Sequence, residues 1–527
     1  MAGAFACQPE HVSGALPARY PVFMAPILEL GARPLTIEDV ARVAREGVEA
    51  GLAVSARERV ALGRRRLEEM LARGERIYGV NTGVGGNVGI TLPPEEMELL
   101  QSNLLRHIAC ATGQPLPRDV VRAAALLRAA TFATGSSAVR PELVDALLAM
   151  LNRGVTPVTP RYGSVGASGD LMPSAYIGRV LMGMGEAEFA GRRLPASQAL
   201  AAAGLEPIRF APKEGLALIN GTTVMTAVAA LLQVDSFRVL RALLGAVALS
   251  VEAMQAPDLP FDPWVHERKG HPGQIAVAAW LRGLLEGSAY TRASGGQSCY
   301  SLRCVPQGLG QVWEAFEDSR AVIEREINSA NDNPLIDPDT GVMYKAGNFY
   351  GGHIARVLDG WKIDYASMSN WGNALVALLV DDRFNGGLPA NLTPAPGVNS
   401  GFKGMQLSVT SLACAIRQLA GPSSIHSLPT EQYNQDVVSL GMHAAVTAMD
   451  ALECLRNETA MVLLASAQAV DLRGGPAKLG RGSRRVHQRV REMAAFQDKD
   501  RAMENEVAAV AAAIADGDSA ITGAPIS

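Results

Sequence analysis

Between Ala227 and Val251 the chain runs through mostly apolar residues at helical spacing, and this stretch constrains the fold more than any other. Leu240, Leu243, Leu244, Val247 and Val251 fall on one side of a cylinder with a 3.6-residue turn. The helix must stop before Ala256-Pro257-Asp258-Leu259-Pro260, because two prolines cannot continue the hydrogen-bond ladder. So long an apolar stripe needs partners. Further helical patterns at residues 308–330, 352–384, 404–421 and 434–470 supply them. Alternating apolar and polar runs are few, so the fold class expected is mainly α, with a bundle of long helices in the second half. A membrane bundle is excluded, since Asp235, Arg238 and Arg241 interrupt the longest apolar stretch.

The first half mixes helices with Gly-rich loops. Thr36 is a candidate helix N-cap, with Asp39 three residues on and Val40, Val43 and Val48 following. Residues 1–34 are Pro-rich and aperiodic and read as an arm. Residues 35–215 form an N-terminal domain, 216–475 a central bundle and 476–527 a C-terminal helical segment. With 48% apolar and 19% charged residues, the chain reads as a soluble globular protein with a large core. A net charge of −4, with no dense basic run beyond Arg481 to Arg485, leaves no footprint for nucleic acid. The six cysteines are scattered, and the N-terminus lacks a basic region followed by an apolar segment. Reduced thiols in the cytoplasm are therefore expected. The eight histidines show no ligand spacing, so no metal is expected. Gly83-Val84-Gly85-Gly86 departs from the dinucleotide-binding spacing, so no nucleotide is expected either.

The run Gly163-Ser164-Val165-Gly166-Ala167-Ser168-Gly169-Asp170-Leu171 carries the distinctive chemistry. Attack of the Gly169 amide nitrogen on the Ala167 carbonyl, with loss of water, closes a five-membered imidazolone. Elimination of the Ser168 hydroxyl then leaves an exocyclic methylene. The product is 4-methylideneimidazole-5-one, an electrophile that no ordinary side chain supplies. Glycine after serine allows the sharp reversal, serine carries the leaving hydroxyl, and alanine fits a crowded turn.

Five further blocks accompany that run: Tyr78-Gly79-Val80-Asn81-Thr82-Gly83, Leu218-Ile219-Asn220-Gly221-Thr222, Tyr300-Ser301-Leu302-Arg303-Cys304, Asn331-Asp332-Asn333-Pro334 and Asn434-Gln435-Asp436-Val437-Val438-Ser439. All six, in this order, resemble the aromatic amino acid ammonia-lyase and aminomutase family over about residues 35–475. The resemblance implies an ammonia-lyase-like fold with an autocatalytic prosthetic group from Ala167, Ser168 and Gly169. It also implies a homotetramer whose active sites are each built from three subunits, acting on a small aromatic amino acid.

In that family's account the substrate amine adds to the methylidene carbon, and a tyrosine removes the β-proton as general base. Tyr78 stands in that tyrosine's place. The resemblance makes Arg303 the clamp for the α-carboxylate, which its planar fork suits. It has Tyr300 and Asn220 hydrogen-bond the imidazolone. Asn333 and Gln435 orient the carboxylate and the tyrosine network, and Phe349 packs beside the prosthetic group. Lys403 and Glu431 resemble the plant phenylalanine ammonia-lyase pattern; Glu431 would receive the ammonium or its proton, with Lys403 as counter-charge.

Substrate choice is read at His107-Ile108, where phenylalanine enzymes resemble Phe-Leu, histidine enzymes Ser-His and tyrosine enzymes His-Leu. His107 suits a para-hydroxyl and Ile108 the ring, so L-tyrosine or L-3,4-dihydroxyphenylalanine is the expected substrate and p-coumarate or caffeate the product. An aminomutase, a phenylalanine or histidine lyase, and a non-catalytic helical scaffold are the alternatives. Val84, Ser298 and Ala415 depart from residues common in the family, as does Met172-Pro173-Ser174 after the Asp170-Leu171 step. Val84 and Ser298 are expected beside the site.

Overall fold

The computed structural model describes residues 27–291 and 296–523. Most of the expected arm, with Cys7, lies outside them. Residues 27–34 do carry structure: β1 (Leu28–Leu30) pairs in parallel with β2 (Ala50–Leu52). Just beyond, Thr36 caps the helix Ile37–Ala41 as its spacing predicts. Its Oγ1 accepts from Asp39 N at 3.3 Å, and the Asp39 carboxylate accepts from Thr36 N at 3.0 Å.

The N-terminal domain holds α1 (Met97–His107) and α2 (Arg118–Ala133). The bundle comprises α3 (Thr223–Ala253), α4 (Val305–Ile327), α5 (Gly352–Val380), α6 (Lys403–Leu419) and α7 (Gly441–Arg473). At 31 residues, α3 runs for about 46 Å. Its expected single apolar stripe is an understatement, because α3 is buried on nearly every side. It packs on α7, α2, α4 and α5, and α7 packs in turn on α5 and α6. The charges that interrupt α3 find partners at its flank: Arg45 spans both carboxylate oxygens of Asp235 at 2.7 Å.

The helical patterns expected at 308–330, 352–384 and 404–421 match α4, α5 and α6 to within a few residues. The pattern at 434–470 is corrected at its start, where residues 434–440 form an irregular approach and α7 begins at Gly441. Leu440 is left-handed with φ +50°, which no helix interior accommodates. Strands are short and peripheral, and none forms a layer. Among the described residues, no helix is long and apolar enough to cross a membrane.

Candidate active site

The start of α3 builds the floor of the site. The short helix Glu214–Ile219 ends at Asn220, and the chain turns through Gly221 before entering α3. Ser168, Gly169 and Asp170 lie against that turn. Gly221 N donates to Ser168 O at 3.0 Å, and Asp170 N donates to Gly221 O at 2.7 Å. Gly169 takes φ +74°, and a Cβ there would run into the Gly221 carbonyl. Glycine is thus required on conformational and on steric grounds. From the other side Ser164 Oγ donates to Gly169 O at 3.0 Å, and Leu440 N donates to Val165 O at 3.0 Å. The tripeptide Ala167-Ser168-Gly169 is held at both ends in a reversed turn. Ring closure between Ala167 and Gly169 would require such a chain reversal.

Charged groups are buried beneath this turn. The Asp170 carboxylate accepts from Val224 N at 2.8 Å and Met225 N at 2.9 Å, capping α3. Burial outweighs those donors and pushes its carboxyl up to about 7. Arg128 of α2, with its guanidinium lowered to about 10 by burial, donates to Asn220 O at 3.1 Å and Ala217 O at 3.3 Å. Lys213 Nζ meets Asp332 Oδ2 at 2.8 Å, with both side chains fully buried. None of Arg128, Lys213 and Asp332 was expected as a functional residue. The sequence signals for them were an arginine inside the apolar run of α2 and the place of Asp332 in the Asn331-Asp332-Asn333-Pro334 block.

Above the floor opens a cavity of about 690 Å³. Tyr78, His107, Ile108, Ala167, Ser168, Asn220, Asn333, Phe349, Glu431 and Gln435 all line it, so ten sequence-selected residues meet there. Val84 lines it too, as expected. Tyr78 Oη accepts from Gly85 N at 2.9 Å. Burial pushes its phenol above the ordinary value and the nearby Glu431 carboxylate adds to this, against the Gly85 N–H. His107 Nδ1 lies 3.0 Å from Asn103 O. A carbonyl only accepts, so Nδ1 carries the hydrogen and a neutral ring has Nε2 as its acceptor. Ile108 is buried beside it. Asn333 Oδ1 accepts from Ala346 N at 2.9 Å, and Gln435 Oε1 from Thr430 Oγ1 at 2.7 Å.

Three expected site residues lie away from this cavity within one chain. Tyr300 is 69% exposed. Arg303 stacks 4.8 Å from the Tyr300 ring centroid and donates from Nε to Ser298 O at 2.8 Å, so Ser298 sits with this pair and not at the cavity. Lys403 is exposed at the start of α6. No ion pair joins it to Glu431 among the described residues; Glu431 is itself exposed and accepts from Asn434 Nδ2 at 3.3 Å. Asn220, in the cavity wall, also bonds within the chain. Its Nδ2 donates to Asp332 Oδ1 at 3.2 Å and Asn333 O at 2.8 Å, which commits both amide hydrogens.

Known proteins share both this sequence and this architecture. A profile of the aromatic amino acid lyase family matches residues 35–492, beyond the 475 expected from the motifs. The histidine ammonia-lyase of Anaeromyxobacter sp. (strain K) is 41% identical over 505 residues, covering 93% of this chain and 99% of the relative. Among solved structures, Pantoea agglomerans phenylalanine aminomutase superposes with TM-score 0.89 at 31% identity, covering 93% of this chain and 99% of its own. Tyrosine aminomutase from Streptomyces globisporus gives TM-score 0.89 at 32% identity, covering 93% and 97%. The mainly helical architecture is the ammonia-lyase and aminomutase fold. This chain belongs to the aromatic amino acid lyase family and is a carbon–nitrogen lyase.

Proposed function

We propose that the protein deaminates L-tyrosine or L-3,4-dihydroxyphenylalanine non-oxidatively, giving p-coumarate or caffeate and ammonia. The observation that carries this reading is the single cavity shared by Tyr78, Ala167, Ser168, His107 and Ile108. Ala167, Ser168 and Gly169 fit a self-made 4-methylideneimidazole-5-one, because the turn is pinned at both ends and Gly169 is left-handed against Gly221. That group supplies an electrophilic carbon for the substrate amine and so turns a poor leaving group into a better one. Tyr78 takes the β-proton, and Ile108 flanks the ring. His107 accepts the phenolic hydrogen at Nε2 while its Nδ1–H stays on Asn103 O. The unpaired cysteines among the described residues suit a cytoplasmic setting.

Tyr300, Arg303 and Lys403 complete the site from neighbouring copies in a homotetramer. The supporting observation is a set of large apolar side chains left exposed by one chain: Leu407 at 67%, Ile425 and Leu428 at 71% and Tyr433 at 78%. Sedimentation is expected to give a tetramer, and a stable active monomer would contradict the shared site.

Histidine deamination is the second reading, favoured by the relative named histidine ammonia-lyase at 41% identity. An aminomutase is a third, favoured by the two aminomutase neighbours; β-tyrosine among the products would identify it. Substrate preference separates the first two. Tyrosine, 3,4-dihydroxyphenylalanine, phenylalanine and histidine are compared by kcat/KM on wild type and His107→Phe. Wild type is expected to prefer a phenol. The variant should lose roughly tenfold or more on tyrosine, from an unpaired hydroxyl, and gain on phenylalanine. A wild-type preference for histidine or phenylalanine would overturn the phenolic assignment.

A further inference from the structure

Arg128 interrupts the apolar run of α2, where Ala123, Ala124, Leu127 and Ala129 are buried around it, and it is itself only 2% exposed. Burial lowers its guanidinium to about 10, which leaves it cationic at neutral pH. A buried cation is costly unless its donors are used. Those of Arg128 converge on one short segment. Nη1 donates to Ala217 O at 3.3 Å and to Asn220 O at 3.1 Å, carbonyls at the C-terminal end of the helix Glu214–Ile219. Nη2 donates to Thr223 Oγ1 at 3.2 Å, at the start of α3. Gly221 lies between these acceptors. It takes φ +143°, and a Cβ there would run into the Asn331 carbonyl and the Arg128 guanidinium. The Gly221 backbone is therefore seated on Arg128. On its other side Gly221 holds the reversed turn, with its N–H on Ser168 O and its carbonyl accepting from Asp170 N. Arg128 does not line the cavity, so it acts through Gly221.

We propose that Arg128 is a positioning residue for the formation of the prosthetic group. It fixes the 220–223 turn against which Ala167, Ser168 and Gly169 cyclise. The proposal rests on the self-made imidazolone of the reading above. Closure joins the Gly169 nitrogen to the Ala167 carbonyl carbon. The carbonyl oxygen leaves as water with the hydrogens of Gly169 N and Ser168 N, and a C=N bond remains. The Ser168 hydroxyl leaves as a second water with the Ser168 Cα hydrogen, and the methylidene double bond remains. No oxidant or reductant enters. An amide nitrogen is a poor nucleophile and an amide carbonyl a poor electrophile, so the rate depends on how closely the two are held.

The test weighs the peptide spanning Gly163 to Leu171 at intervals after expression of the full chain as wild type, Arg128→Met and Arg128→Lys, with circular dichroism on each. Methionine keeps a long side chain and removes every donor. It leaves Ala217 O and Asn220 O facing an apolar group, which lets the turn relax. In folded Arg128→Met, the peptide lighter by two waters is expected to form roughly 10²-fold more slowly, the scale of a misplacement of about 1 Å. Arg128→Lys keeps the cation and a donor and should mature at a rate between the two. A folded Arg128→Met that loses both waters as fast as wild type would overturn the proposal. If Arg128→Met does not fold, Arg128→Lys decides, and maturation at the wild-type rate would overturn it equally. A wild-type peptide of unmodified mass would instead sink the self-made group on which the proposal rests.

Discussion

Ser168→Ala is expected to leave a folded protein that releases no ammonia, with activity down by at least ~10³-fold. The reason is chemical. The serine hydroxyl has to leave for a methylidene to form, and alanine has nothing to eliminate. Folding should survive because what holds the turn is backbone: Gly221 N to Ser168 O, and Asp170 N to Gly221 O, and the Ser168 hydroxyl takes part in neither bond. Circular dichroism and the gel-filtration elution volume should therefore match wild type. Near-native turnover by this variant would show that the electrophile comes from somewhere else.

Tyr78→Phe should fall next in activity, by roughly 10²–10⁴ in kcat, the usual worth of a general base. KM should change little, since the ring shape persists. The variant leaves the Gly85 N–H without its partner, a modest local cost of about 1 kcal/mol that a thermal melt can register. The pH profile is the sharper readout. Burial and the Glu431 carboxylate raise the Tyr78 phenol above its ordinary value, which is about 10. The basic form therefore grows with pH across the whole working range, and kcat/KM should climb into the alkaline region. The residual activity of Tyr78→Phe should lack that rising limb. A wild-type rate that is flat or falling above neutrality, or an unchanged rate in the variant, would leave Tyr78 without its role.

Much of this molecule is legible in its sequence because local chemistry and local periodicity agree. The apolar spacing at Leu240 to Val251 finds α3, and the capping pair Thr36 and Asp39 marks the first helix start. Ten of the motif-selected residues reach one cavity although they are drawn from segments as far apart as Tyr78 and Gln435. What the sequence hides is long-range. Lys213 and Asp332 are 119 positions apart, and nothing in either neighbourhood announces a buried ion pair. The approach 434–440 is not helical although it directly precedes a long helical pattern, and its Asn434, Asp436, Val437, Val438 and Ser439 are weak helix formers. Glu431, Gln432, Tyr433 and Leu440 take left-handed conformations, which an apolar pattern does not announce. Tyr300, Arg303 and Lys403 mark a different limit: within one chain they lie away from the cavity, and only the proposed homotetramer would bring them to it.

The most direct measurement is the mass of the peptide spanning Gly163 to Leu171, taken from the purified wild-type enzyme, together with its near-ultraviolet spectrum. The self-made prosthetic group predicts a peptide lighter than its sequence by two water molecules. It also predicts an absorption band beyond that of tryptophan, with both signatures missing in Ser168→Ala. An active wild-type enzyme whose peptide has the unmodified mass would contradict the account at its centre.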